Sequence, residues 1–200
     1  MAVISDIYSS IEAPSEGLYK ELGSRFIAFA HPVETEGEVK GILDALRARY
    51  HDARHCCFAY RLGKDGERFR TNDDGEPSST AGRPILSQID SAGLSDILVV
   101  VVRYFGGIKL GVPGLARAYK AAAADAIANA RKVDKVAGRT YSVTFDYSQM
   151  PSVMKAVKGM GLTPLEKDFS QTCRMTLRVR LTLEDAFLEE MGDYSPVILG

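Results

Sequence analysis

Three carboxylates lie close together in the stretch NDDGEPSSTAG, which spans Asn72–Gly82. They are Asp73, Asp74 and Glu76. Such side chains can bind a cationic group, a metal ion or an activated water, and the carboxylates alone do not choose among these. The plainer interpretation is an acidic surface turn in which Thr80 or Ser79 caps the following helix. The stretch is therefore a candidate polar rim of a pocket.

A cation, a phenol and a glycine-rich loop follow the apolar run Ile97–Val102. A run of this kind, rich in β-branched residues, predicts a strand that is buried on both faces. After it come Arg103 and Tyr104, and then the glycines Gly106, Gly107, Gly111 and Gly114. Their spacing matches neither the P-loop nor the dinucleotide-binding fingerprint. The glycines still indicate a backbone that closely approaches either a ligand or another strand.

Arg103 stands where the buried strand ends, and a charge in that position needs a partner. The candidates are Asp73, Asp74 and Glu76. The guanidinium can equally hold a phosphate or carboxylate through two hydrogen bonds. Pro113 suits the first turn of the alanine-rich helix that follows, and the start of a helix attracts anions. Lys109 and Arg117 add two further cations to this region.

His55, Cys56 and Cys57 are adjacent in the sequence and suggest a metal site at first sight. Strand alternation places His55 and Cys57 on one face and Cys56 on the other. No Cys-x-x-Cys or His-x-x-x-His spacing accompanies them, so we predict packing residues and no metal site. A cysteine nucleophile would need a base, for which His55 is the available side chain.

A strand predicted over Thr172–Thr182 carries three arginines on its polar face: Arg174, Arg178 and Arg180. Residues two apart on a strand lie ~7 Å from each other, a spacing that matches successive phosphates of a nucleic-acid strand. The alternatives are a solvated sheet face or a contact between domains. No aromatic pair lies on this face for base stacking, so the usual type of RNA-recognition sheet is not expected.

Composition narrows the class of protein. The 200 residues carry a formal net charge of −1, so any recognition of nucleic acid must be local. Three cysteines form no disulfide framework and suit a reducing compartment. The first ten residues lack the basic and apolar regions of a secretory signal, and the apolar run Ile97–Val102 is too short to cross a membrane. We expect a cytoplasmic protein without a cofactor and without a membrane partner.

Periodicity predicts an α+β protein of two domains, residues 1–136 and 137–200. In the first, a capping box formed by Thr35 and Glu38 opens a helix. The strands expected there are Gly17–Leu22, Arg25–Ala30, His55–Leu62 and Arg68–Thr71, followed by a helix over Pro84–Ser91 and another that runs to Arg131. In the second, Ser148 caps a helix, and the order βαββαβ is that of a ferredoxin-like domain.

Four segments together resemble the Impact/YigZ family, and the resemblance is strong from about Gly17 to Lys132. They are SRFIAFA at Ser24–Ala30, ARHCCFAYRLG at Ala53–Gly63, DDGEPSSTAGRPIL at Asp73–Leu86 and VVVVRYFGGIKLG at Val99–Gly111. The chain departs from the family pattern at Cys56 and Pro113. The positions that match, and that become candidate ligand-binding residues, are His55, Asp73, Asp74, Glu76, Thr80, Arg103, Tyr104, Gly106, Gly107, Lys109 and Arg117.

The resemblance implies a first domain similar to domain 2 of a small-subunit ribosomal protein. It also implies a ferredoxin-like second domain similar to one in elongation factor G. Eukaryotic members are linked to translational control, through competition for the activator of an initiation-factor kinase. For the bacterial-type members, binding of nucleic acid or ribosomes rests on analogy of fold.

Two functions follow as hypotheses. The first is a non-enzymatic regulator that binds RNA, the ribosome or a translation factor, with Arg174, Arg178 and Arg180 as the nucleic-acid-binding residues. The second is an enzyme whose pocket lies between the DDGEP loop and the RYFGG loop. We expect the two loops to be neighbours, with Arg103 within ion-pair distance of Asp73, Asp74 or Glu76, and the pocket hypothesis depends on this. The sequence leaves the ligand and the oligomeric state open.

Overall fold

The structure is a computed structural model that describes residues 5–170, 172–194 and 196–199. The first four residues, on which the expectation about a secretory signal partly rests, lie outside the described residues. Contacts between residues group the chain into two units. One unit runs from Tyr8 to Lys135, and the other combines the residues up to Ile7 with those from Val136 onward.

A five-stranded antiparallel sheet forms the centre of the first unit, with the strand order β2-β3-β6-β4-β5. These strands are β2 (Ser15–Glu21), β3 (Ser24–Pro32), β4 (His55–Leu62), β5 (Arg68–Asn72) and β6 (Ile97–Tyr104). The middle strand is β6, and its residues from Ile97 to Arg103 are all buried, as the apolar run predicts. Two further strands, β1 (Ile7–Ile11) and β7 (Lys132–Val136), pair with each other.

Helices cover both faces of this sheet. On one face, α1 (Glu36–Arg49) buries Val39, Leu43 and Leu46 against β4 and β6. On the other face lie α2 (Gly82–Ala92) and α3 (Gly111–Ala128). The predicted capping box starts α1: the backbone N–H of Glu38 donates to Oγ1 of Thr35, and that of Thr35 donates to the Glu38 carboxylate. Helix α3 ends at Ala128, three residues before the predicted Arg131, and β7 begins at Lys132.

The second unit has the ferredoxin-like order βαββαβ. Its elements are β8 (Gly138–Phe145), α4 (Met150–Gly159), β9 (Pro164–Asp168), β10 (Cys173–Arg180), α5 (Glu184–Met191) and β11 (Val197–Leu199). The sheet order is β11-β8-β10-β9, and alternate residues of β8 and β10 pack against both helices. The predicted α+β class, with a ferredoxin-like second domain, is thus confirmed.

Asp146, and not Ser148 as predicted, caps the start of the helical segment that contains α4. Asp146 and Gln149 form a reciprocal capping box, in which the backbone N–H of Asp146 donates to Oε1 of Gln149 at 2.8 Å. A single turn of tighter 3-10 helix, Tyr147–Gln149, precedes α4 and moves the start of the helical segment back to Asp146. Among the described helices, none is both long enough and apolar enough to cross a membrane.

Candidate functional site

Arg103 and Glu76 join the end of β6 to the loop that follows β5. Nη1 of Arg103 donates a hydrogen bond of 2.6 Å to Oε1 of Glu76, and the two side chains are 7% and 4% exposed. The hydroxyl of Tyr119 in α3 donates to the same oxygen at 2.8 Å. The prediction that Arg103 pairs with one of the three loop carboxylates is therefore confirmed, and the two loops are neighbours.

Aromatic rings surround the Arg103 guanidinium. Its central carbon lies 5.4 Å from the centre of the Phe26 ring and 5.7 Å from that of Phe105. Both distances are within the range of cation–π attraction. Among the described residues, Nε of Arg103 has no hydrogen-bond partner. The charge is thus held by one carboxylate and two ring faces, and this fixes the direction in which Phe105 leaves the strand.

Asp73 caps α2 from a distance, in place of the predicted Thr80 or Ser79. Oδ1 accepts hydrogen bonds from the backbone N–H groups of Ala81 and Gly82, and Oδ2 accepts one from that of Ser79. Desolvation acts to raise the pKa of this carboxyl, but the three N–H donors outweigh it and hold the pKa below its ordinary value. The Thr80 hydroxyl instead donates to the carbonyl of Pro77 and closes the turn.

Asp74 ties the same loop to the start of β4. Its Oδ2 accepts a hydrogen bond of 2.7 Å from the Cys56 backbone N–H, and its Oδ1 lies 3.4 Å from the Arg47 guanidinium. Nδ1 of His55 lies 2.8 Å from the Asp74 carbonyl oxygen. A carbonyl oxygen only accepts, so Nδ1 of His55 is the donor in this hydrogen bond.

Burial and distance set the state of the remaining polar side chains of this centre. Nε2 of His55 lies 4.0 Å from Oε1 of Glu76, which is longer than a hydrogen bond. Burial raises the pKa of the Cys57 thiol well above its ordinary value, so the thiol is neutral and a poor nucleophile. Burial likewise raises the pKa of Tyr119. In the described part of the chain, no three His, Cys, Asp or Glu side chains are grouped to hold a metal ion.

Of the two glycines in the RYFGG loop, Gly106 serves backbone packing. A Cβ at Gly106 would lie 1.9 Å from the carbonyl carbon of Gly23 in the β2–β3 turn, so only glycine fits. The Gly106 N–H donates to the buried Ser24 hydroxyl at 3.1 Å. Of the two interpretations that the sequence allowed, the structure thus favours a close approach to another strand for Gly106. Gly107 has a φ of 90°, and a Cβ there would meet open space.

The other candidates of the first unit lie outside this centre. The hydroxyl of Tyr104 donates to Asp52 at 2.7 Å, and the guanidinium of Arg117 pairs with Glu21. Lys109 is exposed in the loop. The structure therefore brings together His55, Asp73, Asp74, Glu76 and Arg103, and leaves Tyr104, Lys109 and Arg117 on the surface around them.

Two of the three arginines on the polar face of β10 have a carboxylate beside them. Arg180 donates two hydrogen bonds to the buried carboxylate of Asp6, at 2.9 and 2.8 Å. Arg174 lies opposite Asp168 of β9, on the same face of the sheet. Arg178 is exposed, and its neighbour on β8 is Thr140. Only Arg178 of the three thus has neither an ion-pair partner nor an opposing carboxylate among the described residues.

Sequence reasoning missed Tyr119 and four exposed apolar residues. Tyr119 is the single aromatic residue of the alanine-rich helix α3, which was the available signal. The four apolar residues form what we call the apolar tip: Leu22, Phe105, Ile108 and Val112, each 52–58% exposed. Leu22 and Phe105 each stand next to one of the two glycines, Gly23 and Gly106, whose backbones are in contact.

The fold and the site together define a two-unit α+β protein in which the DDGEP and RYFGG loops of the first unit are held together by buried polar contacts. Residues 22–127 match the family model of the Impact N-terminal domain. The chain is 33% identical to IMPACT family member YvyE of Bacillus subtilis, over 85% of this chain and 78% of that protein. It is 36% identical to IMPACT family member YigZ of Escherichia coli, over 65% of each chain.

The chain therefore belongs to the Impact family, as its sequence motifs predict. A crystal structure described as that of a hypothetical protein is similar over 98% of both chains, with a TM-score of 0.75 and 27% identity. The protein IMPACT homolog of Saccharomyces cerevisiae is 35% identical over 94 residues, which cover 36% of its length.

Proposed function

We propose that this protein is a non-catalytic binding protein of translational control, and that it binds a translation factor through the apolar tip. Membership of the Impact family supports the connection with translation. The observation that supports this binding site is that two sets of side chains on the same loops point in opposite directions. The loop carboxylates and Arg103 turn inward, whereas Leu22, Phe105, Ile108 and Val112 turn outward.

Exposed large apolar side chains in one cluster are typical of protein interfaces. The polar centre supports this cluster, because the Arg103–Glu76 pair and the Gly106–Gly23 contact fix the backbone on both sides of Phe105. A rigid loop loses little conformational entropy when it binds. Lys109, which is exposed within the same loop, adds a positive charge and favours a partner with an acidic rim.

RNA is the competing partner. The outer face of the second sheet supports it less, because Arg180 is engaged by Asp6 and Arg174 faces Asp168. The other alternative to a protein-binding role is the enzyme that the sequence analysis considered. The neutral Cys57 thiol and the internally bonded carboxylates supply neither a nucleophile nor a free acid–base pair, so the centre supports a structural role better.

Co-sedimentation with components of a reconstituted translation system tests the proposal. The test variant is Ile108→Ser with Val112→Ser, which makes half of the apolar tip polar. The second unit offers a matched control, Val197→Ser with Ile198→Ser: Ile108 and Ile198 are both 54% exposed, and Val112 and Val197 are 58% and 59% exposed. We expect the wild-type chain and the control to bind one purified initiation or elongation factor.

The tip variant should lose that binding by about tenfold or more, because two buried aliphatic contacts are worth more than 1.4 kcal/mol in an interface. An equal loss of binding in the control variant would show that the interface does not lie at the apolar tip. Binding to ribosomal RNA alone, with loss on Arg174→Ala and Arg178→Ala and a steep dependence on salt, would establish the RNA hypothesis instead.

A further inference from the structure

A groove of about 670 Å³ lies between α4 and the start of β9 in the second unit, whereas the apolar tip belongs to the first. One wall is a face of α4 that carries Pro151, Met154 and two lysines. The other wall is the turn that follows the helix, together with Pro164 of β9. Clefts that bind ligands in proteins have volumes of about 300–1,000 Å³, so this groove is large enough to hold part of a partner.

Most of the apolar lining of this groove keeps accessible surface. Met154 and Leu162 pack against the core of the second unit with part of their surface and are only half-buried. Pro164 is half-buried as well, and Pro151 is exposed. Of the apolar lining residues, Val157 alone belongs fully to the core, at 2% exposure. A partner that enters the groove can therefore bury aliphatic surface that the chain itself leaves uncovered.

The charge of the groove is positive and uncompensated. Lys155 and Lys158 line it, and none of the residues that the structure places in its lining is acidic. The whole segment Met150–Pro164 contains no Asp or Glu. Neither lysine forms an ion pair with any described residue. Two like charges three residues apart on a helix repel each other, and a negative group placed between them would remove that cost.

The backbone around the groove favours a helical partner over an extended one. Pro164 is the one residue of β9 in the lining, and it has no N–H to offer to an added strand. On α4 the lining residues Pro151, Met154, Lys155 and Lys158 follow the spacing i, i+3, i+4 and i+7, so they form one face about 10 Å long. A helix satisfies its own backbone hydrogen bonds and packs through side chains alone, which is what this face provides.

We propose that the α4–β9 groove binds an acidic amphipathic helix of another protein. The apolar stripe of that helix packs over Met154 and Leu162, and acidic side chains beside the stripe pair with Lys155 and Lys158. RNA fits less well, because no aromatic side chain lines the groove for base stacking. A lipid surface fits less well too, since two lysines are fewer than the cluster of about four to eight that attracts anionic lipids.

The probe is a blocked peptide of three heptads with leucine at positions a and d, glutamate at e and g, and alanine elsewhere. The glutamates flank the leucine stripe on both sides, and their mutual repulsion opposes pairing of the peptide with itself. The full chain is labelled with carbon-13 at the methionine methyl groups. We expect the Met154 resonance to shift with a dissociation constant below about 1 mM, and that of Met191, buried on α5, to stay in place.

Two altered peptides test the two parts of the proposed recognition. One has lysine in place of every glutamate, and the other has serine in place of every leucine. Neither should shift the Met154 resonance, because the first brings like charges to the lysines of the groove and the second has no apolar stripe to bury. A shift of equal size with either peptide would overturn the proposed partner.

Lys155→Glu should weaken binding of the acidic peptide by about fivefold or more, because an attraction becomes a repulsion. Arg178→Glu is the matched control. It makes the same change of net charge at an exposed position on the opposite face of the second sheet, and it should change the affinity by less than about twofold. Equal weakening by both substitutions would reduce the effect to net charge and overturn the site.

Three further results would overturn the proposal. The first is an unshifted Met154 resonance at about 1 mM of the acidic peptide. The second is binding of the wild-type chain, but not of Lys155→Glu, to vesicles that contain phosphatidylserine, which would assign the groove to a lipid surface. The third is self-association of the free protein that Lys155→Glu abolishes, which would assign the groove to a second copy of the chain. The apolar tip is not changed in any of these variants, so its own test is independent of this one.

Discussion

Nη1 of Arg103 and Oε1 of Glu76 lie 2.6 Å apart, and both side chains are more than nine-tenths buried. The pair joins the end of β6 to a loop that precedes it by 27 residues. Burying two charges is costly, and their attraction offsets that cost only while both are present. The pair therefore holds the two loops together and, through Phe105, supports the apolar tip.

Removal of one partner should destabilise the first unit. We expect Arg103→Met to lower the free energy of unfolding by about 3 kcal/mol, because the Glu76 carboxylate is left buried without its counter-charge. Urea denaturation of the full chain measures this change. Arg117→Met is the control, since the Arg117 side chain that pairs with Glu21 is 61% exposed and its loss should matter little. A double variant, Arg103→Met with Glu76→Leu, should recover stability. If Arg103→Met and the control Arg117→Met destabilise the protein equally, the structural role of the Arg103–Glu76 pair is contradicted.

The cap that Asp73 forms on α2 should make stability depend on pH. Asp73→Asn should lower the free energy of unfolding at neutral pH by about 1–2 kcal/mol, since the charged acceptor for three N–H donors is lost. Because the folded-state pKa is lowered, the stabilisation is fully present above the unfolded-state value of about 3.9 and is lost as the pH falls through the folded value. The difference between wild type and variant should shrink below about pH 4. If the difference in the free energy of unfolding between wild type and variant stays constant in acid, the charge of Asp73 is not involved. Asp44→Asn, at an exposed position, is the control.

The contact between Gly106 and Gly23 should tolerate no side chain. Gly106→Ala should cost about 2 kcal/mol or more, because its methyl group would overlap the backbone of the β2–β3 turn. Gly41→Ala, inside α1 with open space around the added atom, should stabilise by about 0.5–1 kcal/mol. Thermal or urea unfolding compares the two. If Gly106→Ala unfolds like Gly41→Ala, the close packing of the loops is wrong.

Arg180 should act in stability and not in recognition of nucleic acid. The hydrogen bonds from Arg180, with those from Thr182, hold the pKa of Asp6 far below its ordinary value, so the carboxylate stays charged. We expect Arg180→Ala and Asp6→Asn each to speed limited proteolysis of the second unit. Arg178 lies two residues before Arg180 on the same exposed face, and Arg178→Ala should leave the rate of proteolysis unchanged. Faster cleavage in all three variants would show that any substitution on this sheet surface affects proteolysis and would contradict a specific role of the Arg180–Asp6 pair.

Several features followed from the sequence because their causes are local. The Thr35–Glu38 capping box depends on residues three positions apart, and the burial of β6 depends on its own apolar run. Alternation along β4 predicted that Cys56 and Cys57 pack on opposite faces, and they lie in the two different cores of the first unit. The motifs that carry the family resemblance also reside in continuous segments.

The partners of the polar groups were decided by the tertiary structure. The sequence offered three carboxylates to Arg103, and only the packing of α3, with Tyr119 beside Glu76, selected one of them. The sequence offered Thr80 and Ser79 as caps for α2. In the structure the loop folds back, and Asp73 accepts the hydrogen bonds from the free N–H groups at the start of α2. Arg180 looked free on its strand, yet its partner Asp6 lies 174 residues away. A hydrogen-bonding group takes whichever partner the folded chain brings within about 3 Å, and for distant segments that choice is made by core packing and not by neighbouring residues.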